Sequence, residues 1–448
     1  MSGRDTIYAL SSGFGTVALS VIRVSGDRSR MVLETLAGDV GVARRSELRV
    51  LRDPVTGEPL DQAITVWFPG PKSFTGEDCA EFHIHGGRAV QAGVLKALSQ
   101  LPGLRLAEAG EFTRRAMING KMDLVEAEGL GEVLAARTAS QRRQAMAQMS
   151  GKSSSVFDSW REQLLLIRAE IEAAIDFADE QGVAEEAHRF VDWRISSLLS
   201  EMERAERRSE AAAVIRDGVR VVLAGLPNTG KSSLLNAVVC YEAAIVSAVP
   251  GTTRDAIEVF LDLDGIPVIL TDTAGLRDGS LDIIEVEGIR RSRLKLADAD
   301  IVVWVASADI AASEKYGPEV EPDILVWGKC DTAESKSRLL RNDDSIRNRI
   351  SLSALSGEGV SAFLSILTDL VKQRYDFEEL PVVVTERQRQ ITSDCICSLR
   401  RSLGHGLEEL ELKAEDVRVA SDAVGRLTGR LEVEEWLGAI FSRFCIGK

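Results

Sequence analysis

Apolar positions change their period three times along the chain. Up to about residue 117 short apolar runs alternate with turn signals, and residues 17–22 and 63–68 predict strands, the second closed by Pro69-Gly70-Pro71. From about 120 to 212 the pattern is helical: there is no proline, Ala, Glu, Gln and Arg abound, and Val156, Trp160, Leu164, Ile167, Ile171 and Ile175 recur at helical spacing. Residues 219–224 then predict a buried strand. Strands and helices alternate from there to about 375, the order a parallel-sheet α/β domain requires. Beyond about 385 the helical period returns, with Leu399, Leu403, Val417, Ala420, Val424 and Leu427 on inner faces.

These shifts divide the chain into a mixed α+β domain (1–117), a helical segment (118–213), an α/β domain (214–376) and a second helical segment (377–448). At 448 residues it is too long for one hydrophobic core. The expected fold class is multidomain α/β plus all-α, with a discontinuous helical domain that carries the α/β domain as an insertion.

Composition narrows the function classes. The N-terminus Met1-Ser2-Gly3-Arg4-Asp5 lacks the apolar stretch of a signal peptide, and no apolar run approaches the roughly 20 residues that span a bilayer. The six cysteines (79, 240, 330, 395, 397, 445) show neither zinc spacing nor a secreted framework. The expectation is a cytoplasmic protein without a membrane partner. A net charge of −15 argues against a basic nucleic-acid wrapper, so RNA contact would need a local patch or a partner's surface. Arg204, Arg207 and Arg208, and Arg290, Arg291, Arg293 and Lys295, form small basic clusters that read first as solvated helix faces.

The chemistry is most legible at residues 225–232, Gly225-Leu226-Pro227-Asn228-Thr229-Gly230-Lys231-Ser232, a G-x-x-x-x-G-K-S loop between a predicted strand and an apolar helix start. Glycines let backbone N–H groups curl around phosphate oxygens, Lys231 reaches the β- and γ-phosphates, Ser232 offers a Mg²⁺ ligand, and the helix N-terminus adds its dipole. Downstream, Gly251-Thr252-Thr253 offers Thr253 as a second Mg²⁺ ligand. Asp272-Thr273-Ala274-Gly275 places a carboxylate for the magnesium shell and the Gly275 amide for the γ-phosphate. Asp331, in Trp327-Gly328-Lys329-Cys330-Asp331, stands where the N-K-x-D motif has its guanine-binding carboxylate. Lys329 would lie along the base, and Ser353-Ala354 resembles the last base-contacting motif. Gly328 replaces the usual Asn, removing one hydrogen bond worth about 0.5–1.5 kcal/mol. The expected GTP-binding set also includes Ser233, Ser247, Ala248, Val249 and Pro250.

Leu276 stands where many small GTPases carry a water-orienting Gln, so other groups must drive hydrolysis. Asn228 and one of Asp278, Asp282 or Glu285 are the local candidates; from residues alone, Glu285 reads as a solvated helix-start acid.

Four stretches outside these motifs carry a specific resemblance. They are Asp5-Thr6-Ile7 with residues 22–26; residues 73–78 running on to His85-Gly86-Gly87; residues 110–116 with 119–124; and the terminal Phe444-Cys445-Ile446-Gly447-Lys448. Over nearly its whole length the chain resembles the MnmE (TrmE) family of tRNA-modification GTPases. The resemblance implies a Ras-like GTPase domain and an N-terminal domain that dimerises and binds a tetrahydrofolate (5,10-methylene or 5-formyl form) through Arg23, Glu81, Lys121 and Lys448. It implies K⁺ beside the nucleotide, held by Asn228, Ser247, Val249 and Thr252, and makes Glu285 the water-polarising acid, reversing the residue-only reading. It further implies a heterotetramer with the FAD-binding flavoprotein MnmG, and addition of a carboxymethylaminomethyl or aminomethyl group to the wobble uridine of certain tRNAs. Residues 13–18 and Gly328 depart from the family pattern.

Other residues weigh less. Cys445 is a possible nucleophile, although free thiols are more often buried and inert. His83 and His85 share a strand face without a third ligand nearby, so packing is the expectation. Cys395 and Cys397 read as structural, and Arg114 and Arg115 as a folate or RNA contact or an exposed helix pair. Two other classes remain open: a ribosome-assembly GTPase without a role in modification, and a scaffold whose hydrolysis has decayed.

Overall fold

Alternating burial along the first apolar runs builds a six-stranded sheet. In the computed structural model, which describes residues 5–13, 15–176, 183–226, 228–241, 244–245, 258–272, 296–307, 321–331, 348–375, 377, 380–429 and 447, its strands are β1 (Thr6–Leu10), β2 (Leu19–Ser25), β3 (Ser46–Arg52), β4 (Pro59–Phe68), β5 (Cys79–His85) and β6 (Leu104–Leu106). Their order is β3-β4-β5-β2-β1-β6, antiparallel except where β6 runs parallel to β1. Phe82 and Ile84 of β5 enter a core with Ile22, Val24, Leu33 and Leu98, while Glu81 and His83 take the opposite face by the two-residue period. Helices α1 (Ser29–Ala37), α2 (Arg88–Ser99) and α3 (Glu111–Ile118) complete this region. β2 begins two residues later than predicted. There the Val17 carbonyl lies so close to Gly86 that a Cβ on the glycine would sit 2.1 Å from it, and Gln91 ties the preceding loop by donating to Ser20 Oγ and the Gly15 carbonyl.

The helical stretch resolves into α4 (Leu124–Ala135), α5 (Ala139–Met149), α6 (Lys152–Asp176) and α7 (Val183–Asp217). The buried stripe of α6 is Phe157, Trp160, Leu164, Ile167, Ile171 and Ala174. Its ends fall one residue from the predicted Val156 and Ile175, which are half-buried; a fully periodic 3-4-3-4-3 spacing favours the shifted register.

The α/β region forms a seven-stranded sheet from β7 (Val219–Ala224), β8 (Ala244–Ile245), β9 (Glu258–Leu263), β10 (Ile266–Asp272), β11 (Ile301–Ser307), β12 (Ile324–Gly328) and β13 (Arg349–Ser351), in the order β13-β12-β11-β7-β10-β9-β8. Five strands run parallel, and the β8–β9 edge is antiparallel. Both faces are apolar, as buried parallel strands require, with α8 (Lys231–Val239) and α9 (Val360–Arg374) contributing Leu234, Leu235, Phe363 and Leu367 to the core.

Two helices follow, α10 (Glu386–Gly404) and α11 (Leu410–Leu427). Thr385 and Gln388 cap α10 reciprocally. α10 packs on α7, with Cys395 Sγ 3.8 Å from Met202 Sδ and Arg400 paired with Glu203 at 2.7 Å. Helices from before and after the α/β insertion therefore pack together. By contacts the chain divides into two compact units: Met1–Gly131, Gln148–Leu166 and Arg418–Lys448 form one, and Glu132–Ala147 with Ile167–Val417 the other. No helix among the described residues is long and apolar enough to cross a membrane.

Candidate functional site

Strand β7 hands the chain to a loop whose backbone excludes side chains. Gly225 has φ 144°, and a Cβ there would lie 2.2 Å from the Val305 carbonyl. Asn228 and Gly230 are both left-handed, at 61° and 100°, which turns the loop into the first turn of α8. Thr229 is buried and donates to the Leu226 carbonyl at 2.9 Å. Lys231 is only 4% exposed, and a buried ammonium needs partners; its Nζ donates to the carbonyls of Gly225 and Leu226 at 2.9 and 2.8 Å. These donors are the ones a phosphate oxygen would attract. At the loop mouth Ser232 Oγ donates to Asp272 Oδ2 at 2.6 Å, while Ser233 is exposed. Two hard oxygen donors predicted from separate motifs thus meet at the end of β10, a set that fits Mg²⁺.

The residues expected to recognise the base converge on the neighbouring strand ends. Asp331 is exposed, and its Oδ1 accepts from Ser353 Oγ at 2.7 Å; that bond holds the carboxyl below the usual range, aided by its own backbone N–H and by the charge of Lys329. Ser353 is buried, with its N–H donating to the Glu358 carbonyl, and half-buried Ala354 follows it. Backbone bonds Cys330 N–H to Leu352 O and Leu352 N–H to Trp327 O stitch the two loops together. Lys329 takes a left-handed φ of 58°. At Gly328 a Cβ would lie 3.0 Å from the Thr229 carbonyl, a tight contact that a larger residue would relieve only by a shift of the P-loop backbone of a few tenths of an ångström.

A second cluster forms in the N-terminal region. Arg23 of β2 faces Glu81 of β5 in register, and Arg23 Nε and an η-nitrogen donate to Glu81 Oε1 at 3.0 and 2.9 Å. The guanidinium lies 5.0 Å from the Phe74 ring centre and 5.9 Å from that of Phe112. His83 Nε2 stands 3.3 Å from Glu81 Oε2; this hydrogen bond lowers the Glu81 carboxyl pKa against the opposing pull of burial, with Arg23 adding to it. Lys121 is exposed, and its stem rests on the 73–78 turn where a Cβ on Gly76 would lie 3.3 Å from its Cγ and Cδ. That turn is anchored by Asn119 Nδ2 donating to the Thr75 carbonyl and by Arg115 pairing with Glu77 at 3.0 Å and Glu111 at 3.0 Å. Burial alone would raise the Glu111 carboxyl, but hydrogen bonds from Arg105, the Glu108 N–H and Arg115 bring it down to about 2. Gly447 docks at the end of β1: its carbonyl accepts from Ser11 Oγ at 2.9 Å, and at φ 106° a Cβ would lie 2.3 Å from the Leu10 carbonyl.

Several expectations change here. Arg115 is not an exposed helix residue but the 6%-exposed centre of an ion network, whereas Arg114 is exposed. His85 is not packed: it is exposed and pairs with Asp61 at 2.8 Å. Among the described residues no cluster of three metal-ligating side chains forms. Cys397 is exposed and Cys395 buried, its thiol pushed up to about 12 by burial. Phe74 and Phe112 carried no role in the sequence reading; both lie in the stretches that bear the family resemblance, 73–78 and 110–116, and only the fold brings them to Arg23. The i,i+4 spacing of Glu111 and Arg115 was a readable signal for their ion pair. Ser247, Ala248, Val249, Pro250, Gly251, Thr252, Thr253, Thr273, Ala274, Gly275, Leu276, Asp278, Asp282, Glu285, Cys445 and Lys448 lie outside the described residues, as do Arg290, Arg291, Arg293 and Lys295.

Comparison with known proteins completes the picture. Residues 124–445 match the family model described as the MnmE helical domain, and residues 6–121 match the model for the N-terminus of the GTP-binding protein TrmE. The chain is 46% identical over 456 residues to the tRNA modification GTPase MnmE of Methylobacterium sp. (strain 4-46), covering 99% of this chain and 100% of that protein. It is 45% identical over 446 residues to the protein of the same name from Beijerinckia indica, covering 99% and 96%. Among solved structures, the G domain of the T. maritima FeoB iron transporter aligns at 27% identity over 34% of this chain and 98% of that one, with a TM-score of 0.23.

Proposed function

The chain belongs to the MnmE family of tRNA modification GTPases, and from that premise we propose that it couples GTP hydrolysis to one-carbon modification of the wobble uridine in certain transfer RNAs. The observation that carries the nucleotide reading is the 2.6 Å contact between Ser232 and Asp272 at the mouth of a loop whose buried Lys231 is held by backbone carbonyls. In this reading the N–H groups of residues 228–233 wrap the phosphates, and Lys231 exchanges its carbonyl partners for the β- and γ-phosphates. Ser232 and Thr253 hold Mg²⁺, which supplies charge neutralisation at those phosphates when bound. Asp331, steadied by Ser353, accepts two hydrogen bonds from guanine that adenine cannot donate. Asn228, Ser247, Val249 and Thr252 hold K⁺ in place of an arginine finger, and Glu285 polarises the attacking water.

The N-terminal cluster fits a tetrahydrofolate. The half-buried Phe74 ring and the Arg23–Glu81 pair offer a flat ring system stacking surface and hydrogen-bonding groups, while buried Phe112 backs the Arg23 guanidinium from the core, with Lys121 and Lys448 as further contacts. Cys445 is the candidate for activating the uridine. The working assembly in this proposal is a homodimer joined by the flavoprotein MnmG, which brings the FAD, and hydrolysis drives opening and closing of paired GTPase domains.

Two measurements test the reading. GTP turnover should rise strongly in K⁺ over Na⁺. A flat response would favour a ribosome-assembly type of switch, and no turnover a decayed scaffold. Nucleoside analysis of tRNA from a strain lacking the protein should show loss of the wobble substituent, and unchanged nucleosides would overturn the modification claim.

A further inference from the structure

A cleft of about 380 Å³ opens between the α4–α5 junction and the end of the GTPase sheet remote from the P-loop. It lies beside Pro267 and Ile269, whereas Asp272 marks the nucleotide end of the same strand. Three to five residues at about 3.3 Å each put some 10–16 Å between Ile269 or Pro267 and Asp272, so the cleft is separate from the nucleotide site. Its volume falls in the range of small-molecule sites.

Its lining combines an apolar floor with uncommitted positive charge. Phe260, Pro267 and Ile269 supply the floor. Arg137 stacks over the Phe260 ring, 4.3 Å from its centre. Arg220 is exposed on β7, where the contacts with Asp300 involve its backbone N–H and carbonyl and leave the guanidinium outside them. Arg216 is occupied, donating to both carboxylate oxygens of Asp217 and to the Val384 carbonyl. The lining thus holds three arginines and the carboxylate of Asp217, with Asp300 bonded to the Arg220 backbone and Glu132 and Glu386 acting on the already paired Arg216, which leaves Arg137 and Arg220 as the cations facing the space. The first turn of α5 faces the same space: Thr138 and Gln141 both line the cleft and cap each other reciprocally, and Gln141 also donates to the Arg216 carbonyl. A guanidinium resting on an aromatic ring presents both charge and a flat face to a planar anion.

We propose that this cleft is a second ligand site, taking a small organic anion with a flat or apolar body, held by Arg220 and by the Arg137 guanidinium that rests on Phe260. The test uses the full chain saturated with GDP and Mg²⁺, so that the nucleotide site is filled, and the fluorescent probe 1-anilinonaphthalene-8-sulfonate. The expected result is saturable binding of one probe per chain that weakens at least tenfold in the double variant Arg137→Ala/Arg220→Ala. Arg137→Lys/Arg220→Lys should retain part of the affinity, and the wild-type chain should bind the uncharged analogue N-phenyl-1-naphthylamine at least tenfold more weakly. Equal binding of the charged and uncharged probes by the wild type would overturn the proposal without relying on any variant. Unchanged probe affinity in a folded double-alanine variant would also overturn it. So would displacement of the probe by transfer RNA at concentrations where pyrophosphate and citrate have no effect, since that would assign the cleft to a nucleic-acid backbone.

Discussion

In the proposed mode of GTP binding, Asp331 concentrates base choice in one carboxylate. Its Oδ1 is engaged by Ser353 at 2.7 Å, which orients the group without neutralising it. Replacing it by Asn exchanges an acceptor for a donor, which suits the extra carbonyl of xanthine. Asp331→Asn should weaken GTP binding about 10- to 100-fold, since hydrogen bonds to a charged group are worth about 1.5–3 kcal/mol. Xanthosine triphosphate should become the better ligand, as equilibrium binding of the two nucleotides would show; unchanged preference would place guanine elsewhere. At this scale the phosphate-loop and base motifs were legible because each backbone-directed task admits few residue types: glycine where φ is positive and space is absent, as at Gly225, and a hydroxyl or carboxylate where hard oxygen is needed, as at Ser232 and Asp272. The meaning of Gly328 was not legible. Only the fold reveals that the Thr229 carbonyl, a hundred residues away in sequence, would meet a Cβ there at 3.0 Å.

Helices and strands show where sequence patterns carry and where they stop. The middle of the α6 stripe, from Trp160 to Ile171, and the parallel strands of the GTPase sheet follow directly from periodicity, because each apolar residue meets the same kind of core. The start of β2 did not, since it is set by the close pass of Gly86 over Val17 rather than by the strand's own residues. The network around α3 was half-visible: Glu111 and Arg115 are four apart, but Arg105 and Glu77 join only in three dimensions. Glu111 is 2% exposed, so Glu111→Gln leaves Arg115 buried with less compensation and should cost about 3 kcal/mol at neutral pH. Its folded pKa of about 2 lies below the ordinary 4.5, so the stabilisation is complete above the ordinary value and is lost as pH falls through the folded one. Denaturant midpoints of wild type and variant should therefore differ at pH 7 and approach each other toward pH 2. A gap independent of pH would remove the carboxylate from the account.

On the scale of the whole molecule, Gly447 sits at the end of the first strand. Gly447 is seated on β1 with no room for a side chain. Gly447→Ala should dislodge the tail, lowering folate binding and wobble modification while GTP turnover stays as in the wild type. Parallel assays of the three would reveal any other pattern, and equal loss of all three would mean global unfolding instead. Inside the other compact unit, the turn joining β9 to β10 is gripped from outside the sheet: Ser140 of α5 donates to the Gly265 carbonyl, and Lys372 of α9 pairs with Asp264 at 2.6 Å. From that turn β10 runs, bonded on both sides, to Asp272 and its contact with Ser232. Held at both ends, the strand is a tether about 20 Å long. Were a bound cation to part Ser232 from Asp272, β10 would be the bonded route from that change to α5.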